Sequence, residues 1–254
     1  MLENMITGKN IRKTFSVPGG EFEALKGVDV EIGAGVFAIL KGRSGSGKTT
    51  LMNILSTLDD KASGEVIIDG QDIKELSAYQ KEELRRKKMG FVFQSVSLIP
   101  SLNAYQNVEF SLRMAGVSID KETEARIEEC LKKVGLGNRM THMPSEMSGG
   151  EQQRVAIARA FVHRPKIIFA DEPTGALNRS SSEEVMNELL KINQEGTTIM
   201  MVTHDAKVAA KCQRVLYIVD GNIKGDINLG KMTSSDQIRD RERAVNNWLM
   251  ELGW

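Results

Sequence analysis

No apolar run in this chain approaches the roughly 20 residues that a membrane-spanning helix needs, so no span is expected. Cysteine is scarce: Cys130 and Cys212 are the only two, which excludes a disulfide framework and reads as a pair of reduced thiols in a cytosolic protein. Excess charge of either sign is missing, with 34 Lys+Arg against 34 Asp+Glu, which argues against a global pull towards nucleic acid or anionic lipid. The opening Met1-Leu2-Glu3-Asn4-Met5 has no basic segment leading into an apolar one, so a signal peptide is not expected. Internal repeats and low-complexity linkers are also lacking. What is present is 254 residues, enough to bury a substantial core as one large α/β domain or as a core with a subdomain.

Residues 1 to about 40 read as short strands with turns, including Ile11–Phe15, the Pro18-Gly19-Gly20 turn and the period-two stretch Ala24–Ile32. Gly64–Gly70 is a further strand, Gln80–Lys88 a charged helix and Met89–Gln94 a strand. From Ala104 to about Arg159 the pattern is helical. Strand and helix then alternate through Lys166–Ala170, Ser180–Gln194, Thr197–Val202, Ala206–Cys212 and Val215–Val219, ending at the Asp220-Gly221 turn. That alternation predicts a parallel sheet covered on both faces, interrupted by a helical lobe. The basic run Arg85–Lys88 follows Lys81-Glu82-Glu83 and reads as a solvated helix face, not a nucleic-acid patch.

The richest segment is Gly42-Arg43-Ser44-Gly45-Ser46-Gly47-Lys48-Thr49-Thr50, which fills every position of the P-loop pattern. An apolar strand, Val36–Leu40, precedes it and a helix start, Leu51–Leu55, follows. Glycines allow the backbone to curl so that several N–H groups face one anion, and the helix N-terminus adds its positive dipole end. Lys48 is expected to reach the β/γ-phosphates of a nucleoside triphosphate, and the Thr49 hydroxyl to hold Mg²⁺. The run Ile167–Glu172 ends an apolar strand in two carboxylates. Asp171 is expected to bind Mg²⁺, and Glu172 to polarise the water that attacks the γ-phosphate. Between these segments, Ser148-Gly149-Gly150-Glu151 opens another helix and makes a second anion-binding start. One nucleotide cannot easily occupy both on one small domain, so a head-to-tail dimer is expected, with each P-loop covered by the partner's Ser148–Gly150.

Together these segments resemble the ATP-binding cassette (ABC) ATPases over residues 5 to about 225. The P-loop resembles their Walker A segment, Ile168–Glu172 their Walker B strand, and Ser148–Gln152 their signature. The resemblance implies that Gln94 is the Q-loop glutamine sensing Mg²⁺ and the attacking water, and that His204 is the switch histidine at the γ-phosphate. It also implies that Phe15 stacks on adenine. Two positions depart from the usual pattern: Met147 stands where Leu is common, a swap of similar volume, and Asn178 stands in the D-loop where Asp is usual. The fold implied is a P-loop NTPase cassette with a mostly parallel core sheet, an antiparallel β subdomain and a helical subdomain. The expected division is 1–94 and 160–230 for the nucleotide-binding core, 95–159 for the helical subdomain with the signature, and 231–254 for a tail.

Strings such as Gly90–Ser95, Leu98–Ala104 and Ala170–Leu177 look closest to the macrolide-exporter, lipoprotein-releasing and antimicrobial-peptide-resistance branch. The resemblance implies an ATPase that dimerises on binding ATP and works with a separate transmembrane permease at the inner face of the cell membrane. Soluble relatives that act on DNA or ribosomes usually carry two cassettes or a long coiled coil; this chain has one cassette and no sustained heptads. In the tail, Ile238, Val245, Trp248, Leu249 and Leu252 recur at helical spacing, Arg239 to Arg243 supply a polar face, and Ser234 or Ser235 is a candidate cap. The apolar stripe is expected to pack back on its own cassette, with a partner surface as the alternative.

Overall fold

Alternating burial at the start of the chain produces two 14-residue strands, β1 (Asn4–Val17) and β2 (Gly20–Gly33), in place of the several short ones expected. They pair antiparallel across a turn at Gly19, whose φ of 98° suits glycine. Register shifts between Gly8 and Arg12 are β-bulges, which bend a strand without ending it. The computed structural model describes residues 3–60 and 62–254, and the side chain of Ser235 lies outside that description. Two compact units emerge, one formed by the chain up to Lys81 together with Met200–Trp254, the other by Glu82–Ile199.

In the first unit, β4 (Ser63–Ile68) extends the β1–β2 pair antiparallel and β5 (Gln71–Asp72) pairs with β4. Strand β3 (Phe37–Lys41), buried at all five positions, runs parallel to β9 (Arg214–Val219). Strand β10 (Asn222–Asn228) turns back antiparallel on β9; its polar, Gly-containing sequence hid it from the periodicity reading. Helices α1 (Lys48–Leu55), α7 (Ala206–Ala210) and α8 (Ile238–Glu251) belong to the same unit. Parallel and antiparallel pairing in one chain is the mixed α/β class that alternation implied.

Helix α8 is the tail. Its stripe packs on its own unit: Val245 and Leu249 are buried, and Trp248 meets the buried Tyr217 of β9 edge-on at 6.4 Å. The expected polar face needs a correction at Arg241, which is buried. Its guanidinium donates to the carbonyls of Ala210, Cys212, Leu229 and Gly230 at 2.6–3.0 Å. A buried cation persists where carbonyl dipoles replace its water. The cap also differs: the residue before α8 is Gln237, without a side-chain cap, and Ser234 Oγ instead accepts from the Asp236 N–H of a preceding 3-10 turn.

In the second unit, most of α2 (Ala78–Lys88) leads into β6 (Met89–Phe93), which runs parallel to β7 (Ile167–Asp171) and places Phe93 opposite Asp171. A Cβ at Gly90 would lie 2.3 Å from the Ala160 carbonyl, so glycine is what lets β6 approach α5 (Gly149–Phe161) this closely. Helices α3 (Ala104–Met114), α4 (Lys121–Lys133) and α6 (Arg179–Gln194) complete the unit, with strand β8 (Thr198–Val202) crossing its boundary.

Candidate active site

The P-loop runs from the end of β3 into α1. At Gly42 a Cβ would come within 2.4 Å of the Ile218 carbonyl, and at Gly47 within 2.8 Å of the Ala24 carbonyl, with Gly47 at φ 103°. Both positions therefore exclude side chains, and the loop is pressed against β2 and β9. Arg43, Ser44, Gly45 and Thr49 are exposed, Thr50 is half-buried, and Ser46 is buried with its hydroxyl unpartnered. Lys48 is buried, and its Nζ donates to the carbonyls of Gly42 at 3.0 Å and Arg43 at 2.9 Å. Helix α1 begins after Gly47 with no side-chain cap. Such a curled loop at an uncapped helix start is chemically fitted to an anion.

The same unit carries His204 and Phe15. His204 follows β8 and is exposed; its backbone carbonyl accepts from the Lys41 ammonium, and the next residue, Asp205, caps α7 by accepting from the Lys207 N–H at 2.8 Å. Phe15, near the β1–β2 turn, is 39% exposed, with the Lys13 ammonium 5.1 Å from its ring centroid. An exposed aromatic face at that position is open to stacking.

The second unit brings together Gln94, Asp171 and Glu172. Gln94 and Asp171 line one groove with Phe93, Ser95, Ser97 and Ala176. Glu172 has φ 43°, a left-handed backbone rarely adopted by a residue with a side chain, and such strain clusters at working sites. Its carbonyl accepts from the Gly175 N–H at 2.9 Å. A Cβ at Gly175 would sit 2.8 Å from Gln94 Nε2, so this glycine admits the glutamine side chain against the turn after Glu172. The segment after Gln94 is anchored: the fully buried Asn107 bonds the Ile99 N–H and the carbonyls of Ile99, Leu102 and Asn103, and Arg159 donates to the Ser97 carbonyl.

Ser148 caps α5 in a reciprocal arrangement. Its hydroxyl accepts from the Glu151 N–H at 3.3 Å, while the Glu151 carboxylate accepts from the Ser148 N–H at 2.8 Å and hydroxyl at 2.9 Å. The Ser148 N–H is the main reason the Glu151 carboxyl is held below its ordinary pKa, with smaller help from Arg139 and Arg154. A Cβ at Gly150 would lie 2.7 Å from Ser181 Oγ, so glycine lets α5 meet the start of α6; at Gly149 the nearest atom is 3.7 Å away. Asn178 caps α6, accepting from the Ser181 N–H at 3.0 Å. An Asp would do the same, so within one copy of the chain this departure leaves the helix start intact.

Sequence reasoning gave Lys41 and Gly175 no role and placed Arg241 on a polar face. A lysine closing the buried strand Phe37–Lys41 was the available signal for the first; an arginine among four other charged residues carried none.

The chain is similar to known proteins over most of its length. A model of the ABC transporter family matches residues 25–175, more than half of the chain. The uncharacterized ABC transporter ATP-binding protein YknY of Bacillus subtilis is 47% identical over 222 residues, covering 86% of this chain and 95% of that protein. The macrolide export ATP-binding/permease protein MacB of Wolinella succinogenes is 45% identical over 88% of this chain, which spans only 34% of that longer protein. Among solved structures, the dimeric post-hydrolysis state of the cassette MJ0796 bound to ADP and Pi superposes with a TM-score of 0.82 at 41% identity, over 90% of this chain and all of that one.

Proposed function

Because this chain belongs to the ABC transporter family as an ATP-binding, ATP-hydrolysing cassette, we propose that it drives conformational change in a separate membrane permease of the export, extraction or antimicrobial-peptide-resistance type. Relatives whose names join ATP-binding and permease parts support that pairing. Among the described residues, no helix is long and apolar enough to cross a membrane. The cassette then works at the inner face of the cell membrane through that permease. Nucleic acid is not among its partners in this reading, since its charges balance. Residues 1–94 and 160–230 serve as the nucleotide core, 95–159 as the helical part with the signature, and 231–254 as the tail.

Each site residue takes a role that its surroundings support. Lys48 exchanges its two loop carbonyls for β/γ-phosphate oxygens, a stronger charge-assisted contact. Residues Gly42 to Thr50 surround the phosphates with backbone N–H groups, and Phe15 stacks on adenine. The hydroxyl of Thr49, the amide oxygen of Gln94 and the carboxylate of Asp171 are all hard oxygen donors, the set that suits Mg²⁺. Bound there, Mg²⁺ neutralises developing phosphate charge. Glu172 accepts a proton from water, Gln94 orients that water, and His204 donates to the γ-phosphate. Ser148, Gly149, Gly150 and Glu151 cover the ATP of a second copy in a head-to-tail homodimer.

The strained φ of Glu172 beside the Gln94–Asp171 groove carries this reading. In Glu172→Gln, phosphate release falls about 10²–10⁴-fold, the range for loss of acid–base catalysis, while ATP binding persists and Mg-ATP shifts sedimentation from monomer to dimer. Near-normal turnover removes Glu172 from the mechanism, and a monomer at saturating ATP removes the composite dimer site.

A further inference from the structure

Lys41 ends β3 one residue before Gly42, and it is 1% exposed. Its ammonium meets two groups. Nζ donates to the His204 carbonyl and lies 4.1 Å from the centroid of the Trp254 ring, a cation–π distance. Trp254 is braced in turn: it meets Tyr217 edge-on at 5.6 Å, and Tyr217 also meets Trp248 of α8. On the other side of Gly42, Arg43 donates to the Gly253 carbonyl at 3.4 Å. Residues 253–254 thus touch both flanks of the first P-loop glycine, just after a helix that Arg241 bolts to four carbonyls.

The loop around His204 has further tethers. The Thr203 N–H reaches the Leu40 carbonyl at 3.4 Å, a long bond, and Asp205 caps α7. The His204 peptide between them is gripped by Lys41, while its imidazole stays exposed. Stability alone does not call for a cation here, because burying an ammonium carries a desolvation cost that an apolar side chain avoids. Burial lowers the Lys41 pKa to about 8, against a raising effect of Asp205 and with a further lowering by Lys48, so the group remains charged at neutral pH.

We propose that Lys41 is a positioning residue for ATP hydrolysis: it clamps the His204 backbone so that the imidazole is aimed outward, and Trp254 locks that clamp. The inference rests on His204 acting at the γ-phosphate. It makes the tail a brace for the switch loop, coupling α8 to the nucleotide site.

Steady-state phosphate release by the full chain, with melting temperature measured alongside, tests this. In Lys41→Met, kcat falls by about 10–100-fold, the scale of a misplaced catalytic group, while KM and melting temperature hold. A merely structural lysine would lower the melting temperature instead. In a His204→Ala background, Lys41→Met has no further effect, because it acts through that histidine. Trp254→Ala lowers kcat in the same direction by less, and adds nothing to Lys41→Met. Unchanged kcat in Lys41→Met, or its full fall persisting without His204, overturns the proposal. If Lys41→Met does not fold, Trp254→Ala decides, and unchanged kcat there overturns it. Normal turnover in His204→Ala removes the histidine's own role and the proposal with it. An impaired His204→Ala beside an intact Lys41→Met removes the proposal alone.

Discussion

The helix starts at Gly47 and at Ser148 have the same expected business, an anion, but are built differently. Helix α1 begins without a side-chain cap, behind Gly42 and Gly47, where a Cβ would collide with backbone carbonyls. Helix α5 begins inside a capping box, with the Glu151 N–H answered by the Ser148 hydroxyl and the Ser148 N–H by the Glu151 carboxylate. One start is shaped by backbone and steric exclusion, the other by side chains that already supply the negative charge. The difference suits a loop that wraps its own nucleotide and a rigid edge that meets a nucleotide presented by another copy. Arg139, 3.3 Å from Glu151, holds that carboxylate near the helix start.

The largest effect that separates the two is expected from Gly47→Ala. The new Cβ must take φ 103° and press within 2.8 Å of the Ala24 carbonyl, which is backbone and yields little. The strain is about 1–3 kcal/mol, so the melting temperature falls by about 2–4 °C per kcal/mol and ATP binding weakens with it. Ser148→Ala comes next. It removes one accepting hydroxyl while Glu151 still answers the backbone, so the loss is about 1 kcal/mol and nucleotide affinity of the isolated cassette is untouched. Calorimetry that finds the two variants equally destabilised, or equally impaired in binding, ends the distinction.

A smaller contrast lies in pH. The Glu151 carboxyl titrates below its ordinary value because the folded state favours its charged form. That stabilisation is present above the unfolded pKa and is lost as pH falls through the lower folded one. Amide resonances of Ser148 and Glu151 should therefore move on acidification below that range, while those of Gly47 and Lys48 stay. Concerted movement at both helix starts would mean global unfolding instead of loss of one cap.

Legibility followed sequence distance. The residues Gly42 to Thr50 share one loop and helix start, so spacing alone exposed the pattern, as it did the acids Asp171 and Glu172 at the end of an apolar strand. Gln94 and Gly175 were harder, since a glycine that makes room for a glutamine 81 positions earlier is visible only when both are in place. Strand lengths at the N-terminus were underestimated because β-bulges between Gly8 and Arg12 break the period of two without ending the pairing.

By itself, the order of residues determined the individual strands and helices, the glycine-rich loop that leads into α1, the paired acids Asp171 and Glu172 at the end of β7 and the amphipathic character of the tail, because each depends on neighbours within about ten positions and on elementary backbone sterics. Only the tertiary structure decided where the tail docks, that Arg241 turns inward to four carbonyls from Ala210, Cys212, Leu229 and Gly230, and that Lys41 finds His204 and Trp254. A buried cation is determined by what surrounds it, and those partners come from segments distant in sequence. No local pattern encodes them.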